Sequence, residues 1–406
     1  MTKLRVSIVG RTSPDCKDED NPFIYFRDDR VQDAVLYVAS EFPARASLYD
    51  RYKEISGHLD NLFRVGALRE EDGKVYVNFT LNTRPDYLLI RDVTWRYSKL
   101  LVQQLKTHWP LIEESIRGCC LCSDADDDIS KYLFLSVGFF ALDWGCLGLL
   151  KSLGYMSGGK EQTGGRFTLH GQEVIDQELK GIYWGGHADF VEGMILLSFG
   201  DHAKARLTLP DLFWGGPLQA PSKLDSPETR RLAKSYTDIL KRDTVRLLRV
   251  TAMNSGEDIN GDGDKYIERS TKATDIVCPR DDLVAWLESI GYIKNGDISV
   301  PYFTAADAHA VQRLRAVVFG AVRDWCEQYY RQLKSDLSGL TALRHGVDYQ
   351  EVFVDLWHWV FGFANKQLAE AGYIFDPYEP GHITPGCLGG IAEDALLDNA
   401  GAFSDR

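Results

Sequence analysis

Two kinds of hydrophobic spacing follow one another in the segment "GHLDNLFRVGALREEDGKVYVNFTL", residues 57–81. Leu59 and Leu62 recur at helical spacing, and Gly66 follows them. After the charged turn "EEDGK", apolar residues alternate with polar ones from Val75 to Phe79. Helical spacing that ends in a glycine predicts a helix stop, and a period of two predicts a half-buried strand. The segment therefore predicts a helix, a glycine end and a two-stranded hairpin.

The same order of parts recurs elsewhere in the chain. It is clear in "DDLVAWLESIGYIKNGDISVPYF" (281–303) and weaker in 147–179 and 365–397. The tripeptide G-[AY]-[LMI] marks all four helix ends, at Gly66, Gly154, Gly291 and Gly372. Long helical patterns, such as 93–116 and 305–335, accompany the two pairs. The pattern predicts a duplicated pair of modules.

A helix that ends in a glycine and precedes a hairpin resembles the third helix and wing of a winged-helix domain. "VQDAVLYVASEF" and "SLYDRYKEIS" would supply the first two helices of the first module. The resemblance is at the level of the fold. It implies an α+β, mainly helical chain, with duplicated pairs of winged-helix-like modules joined by a β-rich connector.

The connector is predicted from alternating aliphatic and aromatic residues in 181–228, which end in the proline-containing linker "PLQAPSKLDSPE". The opening "LRVSIVG" predicts a strand that would join the connector's sheet. The predicted division is an N-terminal strand and loop (1–30), modules one and two (31–110 and 111–180), the connector (181–228), module three with a cation loop (229–312), and module four with a C-terminal tail (313–406).

The charge of the chain limits its partners. The net charge is −13 and the pI about 5.2, so the whole chain is not steered towards phosphate or anionic lipid. Module one still carries nucleic-acid-binding candidates around its third helix: Arg51, Lys53, His58, Asn61 and Arg64. The other third helices are apolar or begin with acidic residues. We therefore expect a non-enzymatic adaptor or regulatory subunit that acts through protein contacts, with a DNA-binding regulator as the alternative.

The loop "DINGDGDKYIER" (258–269) is similar to an EF-hand calcium loop. The candidate ligands are Asp258, Asn260, Asp262, Asp264 and Glu268. The bidentate carboxylate expected at position 12 is replaced by Arg269, with Glu268 one place early. The predicted cofactor is therefore a weakly bound Ca²⁺, and the alternative is a solvated turn rich in Asp and Asn.

A third function class depends on "WGGHADFVEG" (184–193), in which His187, Asp189 and Glu192 lie within six residues. On a turn these side chains could converge on a metal, which would suit a metal-dependent enzyme. The alternative is ordinary surface polarity. His358 is expected to be a core histidine.

The run "YLFLSVGFFALDWGCLGLL" (132–150) is apolar enough to raise the question of a membrane helix, but it contains Asp143 and several glycines. A buried helix pair is the expectation. Eight cysteines without a regular framework, and no secretory pattern at the N-terminus, favour a cytoplasmic protein with no membrane partner.

Overall fold

The computed structural model describes residues 3–12, 18–117, 129–162, 165–174, 186–191, 194–200, 239–240, 242–247, 280–289, 292–303, 307–377 and 386–389. In this part the protein is mixed α+β and mainly helical, as the sequence predicts. The helices are α1 Pro22–Tyr25, α2 Asp29–Glu41, α3 Arg45–Arg51, α4 Ser56–Arg64, α5 Arg84–Thr107, α6 Trp109–Arg117, α7 Ile129–Leu133, α8 Cys146–Ser152, α9 Arg280–Ser289, α10 Ala308–Asp336, α11 Thr341–Arg344 and α12 Tyr349–Glu370. A π-helix, Phe134–Gly145, joins α7 to α8, and short 3-10 turns lie at Asp18–Asp20 and Lys53–Ile55.

The strands form two four-stranded sheets and two hairpins. They are β1 Leu4–Thr12, β2 Leu68–Glu71, β3 Lys74–Val77, β4 Thr80–Asn82, β5 Lys160–Gln162, β6 Gly165–Glu173, β7 Gly186–Val191, β8 Met194–Phe199, β9 Ile293–Lys294, β10 Asp297–Ile298, β11 Tyr302–Phe303 and β12 Gly386–Gly389.

The chain divides into two compact units. The first contains Met1–Leu100, Leu147–Glu178 and Arg323–Val360, and the second contains Leu101–Cys146, Leu179–Val322 and Phe361–Arg406. The first unit therefore includes 323–360, which lies in sequence between two strands of the second unit's sheet, β11 and β12. The second unit includes 101–146, which lies between two strands of the first unit's sheet, β4 and β5. The six-segment division expected from the sequence stays a prediction.

In the first unit, the consecutive helices α2, α3 and α4 are followed by the β2–β3 hairpin. Leu59 and Leu62 of α4 are fully buried, as are Val75 and Val77 of β3, so the apolar periodicities of helix and strand meet in one core. The amide of Val75 donates to the carbonyl of Pro43 (2.8 Å), which ties the α2–α3 connection to the hairpin.

All four glycine-ended helices close with the same hydrogen bond. The amide after the glycine donates to the carbonyl of a leucine five residues earlier, and all four leucines are fully buried. The donor–acceptor pairs are Ala67–Leu62 (2.9 Å), Tyr155–Leu150 (2.9 Å), Tyr292–Leu287 (2.8 Å) and Tyr373–Leu368 (2.9 Å). This is the Schellman bond of a helix C-terminus, and it needs a left-handed residue that glycine adopts without a Cβ penalty.

The leucine that accepts this bond extends the motif to L-x-x-x-G-[AY]-[LMI]. Gly66, Gly154 and Gly372 have φ angles of 72°, 76° and 74°, and Gly291 lies outside the described residues. Gly346 closes a further helix in the same way, with Val347 donating to Ala342, so the cap alone does not define a module.

Hairpins follow the first three glycine ends but differ in form. The β2–β3 and β9–β10 pairs are short antiparallel hairpins, and β5 pairs antiparallel with the longer β6. The described residues after Gly372 contain one strand, β12, which pairs with β8 and β11 instead of a neighbour in sequence.

The two sheets share a strand order. In the first unit β6 lies between β1, which is antiparallel to it, and β4, which is parallel. In the second unit β12 lies between β8, antiparallel, and β11, parallel. β4 and β11 each follow a hairpin and precede a long helix, α5 or α10.

Two local details also match between the units. The amide of Asn78 donates to Ala67 O (3.0 Å), and that of Ser299 donates to Tyr292 O (2.9 Å). In both places the residue that follows the hairpin therefore bonds the residue that follows the helix-ending glycine. In the sequence, the tetrapeptide Thr-x-x-Asp stands at 83–86 and at 304–307, ahead of most of each long helix, and Asp86 and Asp307 are both buried.

One sequence expectation about strand pairing is wrong. β1 pairs along its whole length with β6, from Leu4–Glu173 to Thr12–Gly165, and does not join the connector's strands β7 and β8. Those strands pair with each other and with β12. Because strand partners are set by long-range topology, the alternation of "LRVSIVG" predicts a strand without naming its neighbour.

The apolar run 132–150 is helical, and its side chains lie almost entirely inside the protein. Ile129–Ser152 has the length and composition of a membrane span, and 89% of its most apolar 18-residue window is buried. Burial of this kind is also typical of a core helix.

Candidate interaction surface and a buried polar layer

Acidic groups of the same chain lie beside the basic side of α4, the helix that the sequence predicts to be the third of the first module. The guanidinium of Arg64 contacts the carboxylate of Asp20 (2.5 Å), the carbonyl of Glu19 and the hydroxyl of Tyr25 (3.2 Å). Its main charge partner is therefore an aspartate of the 3-10 turn Asp18–Asp20.

A second carboxylate, Asp28, lies beside Arg30 and His58 on this side of α4. It caps α2 through the amide of Arg30 (2.9 Å), bonds the Arg30 guanidinium (2.9 Å) and lies 3.6 Å from the imidazole of His58. Its hydrogen bonds to Arg30 and the nearby charges lower the pKa of Asp28. Asp28 therefore stays ionised and keeps Arg30 paired.

The remaining candidates differ in their surroundings. Asn61 accepts a long hydrogen bond from Arg64 Nε (3.4 Å), and Lys53 is exposed in its 3-10 turn. Arg51 lies at the end of α3, with its guanidinium 4.3 Å from the ring centre of Tyr37 and 5.8 Å from that of Tyr52. The structure therefore places Asn61, His58 and Arg64 together on α4, and Arg51 at the end of α3 beside two tyrosine rings.

Arg51, Tyr37 and Tyr52 line an open groove between α2 and α3, with a volume of about 750 Å³. Its other lining residues are Asp33, Leu36, Ser40 and Glu41. The two tyrosine rings are 5.9 Å apart, and Tyr52 donates to the carbonyl of Asp33 (3.2 Å). Asp33 is paired with Lys3, whereas Arg51 has no carboxylate partner among the described residues. We call this surface the Tyr37–Arg51 groove.

A second unusual feature of the first unit is a polar layer between its sheet and α12. Thr80 and Asn82 of β4 share a sheet face with Thr168 and His170 of β6, because Thr80 is the ladder partner of His170. Asn82 Nδ2 donates to Asp355 of α12 (2.6 Å), and Thr168 Oγ1 lies 2.9 Å from His170 Nε2. We call these groups, with His358, the buried polar layer.

Burial keeps the two histidines of this layer neutral at pH 7 and raises the pKa of its carboxyl group. It lowers the pKa of His170 to about 3 and that of His358 to about 4, and it raises the pKa of Asp355 to about 6. His358 Nδ1 donates to the carbonyl of Val354 (2.7 Å), so this half-buried histidine is held against its own helix. Uncharged histidines inside a protein do not by themselves indicate an active site.

The sequence-based metal candidates find no structural support in the described residues. Asp258, Asn260, Asp262, Asp264 and Glu268 all lie outside them. His187 and Asp189 lie in strand β7, not on a turn, because the alternation of this segment belongs to the β7–β8 pair. Glu192 lies outside the described residues. Within the described part of the chain, no group of three or more His, Cys, Asp or Glu residues is placed to hold a metal.

Comparison with known proteins adds no assignment: no family model, curated protein or solved structure matches this chain.

Sequence reasoning missed the two features that the structure places together. Tyr37 and Tyr52 lie within the predicted first and second helices, but spacing gives no sign that they meet Arg51 in a groove. The polar layer joins residues 80–82, 168–170 and 355–358, which are brought together only by the β4–β6 ladder and the packing of α12. The polar residues at 80 and 82, in a strand otherwise flanked by apolar ones, were the available signal.

Proposed function

We propose that the protein is a non-enzymatic adaptor or regulatory subunit, built from two pairs of winged-helix modules and acting through protein contacts. The observation that carries the proposal is the contrast between two surfaces of the first module. The basic side of its third helix is taken up by Asp20 and Asp28, while the Tyr37–Arg51 groove is open.

The winged-helix part of the proposal is supported by the order α2–α3–α4–β2–β3 and by the bond from Val75 to Pro43. In a winged helix, the connection between the first two helices pairs with the wing, and the Pro43 carbonyl occupies that place. The duplication is supported by the shared strand order of the two sheets and by the four identical helix ends.

DNA binding by α4 is less well supported than a protein contact. A protein that binds a DNA duplex usefully makes about six to ten phosphate contacts. The guanidinium of Arg64 is already paired with Asp20, and Arg30 bonds both Asp28 and Glu54. Polyanion binding would first have to break these contacts.

The Tyr37–Arg51 groove suits a protein segment that presents a carboxylate. Arg51 lies over the ring of Tyr37 and has no carboxylate partner among the described residues, and a guanidinium binds a carboxylate in a bidentate way. Tyr and Arg are also the residues enriched at energetic centres of protein interfaces. The expected partner therefore has an acidic side chain next to apolar ones that cover Leu36, Tyr37 and Tyr52.

The test compares partners recovered from the native host by the wild type and by a groove variant, Tyr37→Ala with Arg51→Gln. A matched control is Arg45→Gln, because Arg45 also lies on α3 and over an aromatic ring, Phe63 (4.3 Å), but outside the groove. We expect a protein recovered by the wild type and the control and lost by the groove variant. Identical recovery by all three would contradict the proposed surface.

A further inference from the structure

The buried polar layer contains three side-chain atoms that no described protein atom bonds. They are Thr80 Oγ1, Asn82 Oδ1 and His170 Nδ1, and their residues are 0%, 6% and 7% exposed. A buried polar atom left without a partner costs more free energy than an ordinary hydrogen bond contributes, so native proteins almost always satisfy such atoms with protein or ordered water. Three of them in one layer need a common explanation.

The three atoms belong to one face of one sheet. Thr80 and His170 are partners in the β4–β6 ladder, and Asn82 lies two residues after Thr80 on the same strand. Neighbouring strands are about 4.8 Å apart, a spacing that one molecule of water's size bridges with two hydrogen bonds. The opposite face is apolar, since Leu81 and Leu169 pack in the core of the first module.

The second unit shows that this position of the fold does not require polarity. Counting from the shared Thr-x-x-Asp motif, Asn82 corresponds to Phe303 of β11. Phe303 is fully buried, with its ring centre 5.2 Å from that of Tyr132 and 5.5 Å from that of Phe140. The equivalent layer is therefore filled by packed aromatic rings in the second unit, whereas in the first unit it contains the three polar atoms without described partners.

We propose that the polar layer is a buried binding site for ordered water, which bridges Thr80 Oγ1, Asn82 Oδ1 and His170 Nδ1. Asn82 offers an acceptor, Thr80 a donor and an acceptor, and neutral His170 either a donor or an acceptor according to its tautomer. Two to four polar partners are what a buried water needs. The water would connect β4 and β6 beside the Asn82–Asp355 hydrogen bond, so that the layer forms one network.

The sign of a stability change tests this proposal. In Thr80→Val the hydroxyl is lost while size and β-branching are kept. If water bonds the hydroxyl, Tm falls by about 2–4 °C, as for the loss of one buried hydrogen bond. If the hydroxyl has no partner, its removal leaves Tm unchanged or raises it, and the proposal is overturned.

The matched control is Thr94→Val, because Thr94 is also fully buried and its hydroxyl donates to Ile90 O (2.6 Å). Its Tm should fall whether or not the polar layer holds water. A high-resolution crystal structure of the full chain gives the direct result. Density within hydrogen-bond distance of at least two of the three atoms supports the site, and a dry layer with side chains rotated onto protein partners overturns it.

Discussion

At the scale of single residues, His345 shows how a buried ring can join distant parts of the chain. It is fully buried in the first unit, and its Nδ1 accepts from the amide of Val77 (3.1 Å). Its Nε2 then carries the proton and donates to the carbonyl of Ala39 (3.1 Å). The ring stacks on Phe42 at 4.2 Å, so one neutral tautomer satisfies both backbone groups.

His345→Phe keeps an aromatic ring against Phe42 but leaves the Val77 amide and the Ala39 carbonyl without partners. We expect the free energy of unfolding at pH 7 to fall by about 2–4 kcal/mol, since each buried group left unsatisfied costs about 1–3 kcal/mol. His309→Phe is the control, because His309 is exposed and its change should stay within about 0.5 kcal/mol. Urea denaturation measures both, and equal effects would contradict the assigned role.

The pH dependence of the same variant has a defined sign. Burial, together with Arg344 and Arg69, lowers the pKa of His345 below 6.5, although the bond to Ala39 and the charge of Asp86 oppose this. As the pH falls, the unfolded chain therefore binds a proton at His345 before the folded chain does. The contribution of His345 to the free energy of unfolding is complete above pH 6.5 and is lost as the pH falls below that value. The difference between wild type and His345→Phe should therefore shrink from pH 7 to pH 5.

At the scale of elements, the glycine ends were predictable because backbone conformation dictates them. G-[AY]-[LMI] marks each helix end, and φ angles of 72–76° at three of these glycines are the reason. Where each following strand pairs was not predictable, because β4, β6, β11 and β12 find partners far away in sequence. Local patterns thus predict elements, and the sheets depend on long-range packing.

Gly154→Ala and Gly372→Ala test the helix ends directly. An added Cβ meets no atom within 4 Å at either site, so the cost comes only from φ angles of 76° and 74°. We expect each change to lower the free energy of unfolding by about 1 kcal/mol. Gly320→Ala, within α10 and equally free of steric contact, should raise it by about 0.4–1 kcal/mol. A common sign for all three would contradict the interpretation.

The aspartates beside α4, Asp20 and Asp28, give a second prediction at this scale. The variant Asp20→Asn with Asp28→Asn releases Arg64, Arg30 and His58, and should acquire weak binding to a DNA duplex. With two or three phosphates neutralised, the slope of log K against log salt should be about −2. The control Asp50→Asn with Asp72→Asn changes net charge equally at two exposed aspartates and leaves Arg64 and Asp20 in contact, so neither it nor the wild type should bind DNA. Salt-sensitive binding by the wild type would instead favour the DNA-binding alternative.

At the scale of the whole molecule, each compact unit is built from separate parts of the chain. The first unit takes 323–360 from the second half of the chain, including the fully buried Trp325 and Trp357, and Trp325 donates to Tyr97 O (3.1 Å). The second unit takes 101–146 from the first half. The sequence pattern of two pairs predicts repetition but carries no information about which half each long helix completes.

Cleavage of the folded full-length protein tests this arrangement. A protease site inserted in the proline-containing linker "PLQAPSKLDSPE" (217–228) would separate the chain into its two sequence halves. Because each half contributes buried helices to the other's unit, we expect the fragments to co-elute in size-exclusion chromatography until denaturant is added. Fragments that separate under native conditions would contradict the arrangement.

The most direct test of the proposed function is quantitative recovery of host proteins by the wild type, by Tyr37→Ala with Arg51→Gln, and by Arg45→Gln, all folded to the same extent by circular dichroism. The proposal predicts at least one partner that binds the wild type and Arg45→Gln alike and falls about tenfold or more with the groove variant, as for the loss of an interface anchor. Recovery that is unchanged by the groove substitutions, or no partner for any form, would contradict it.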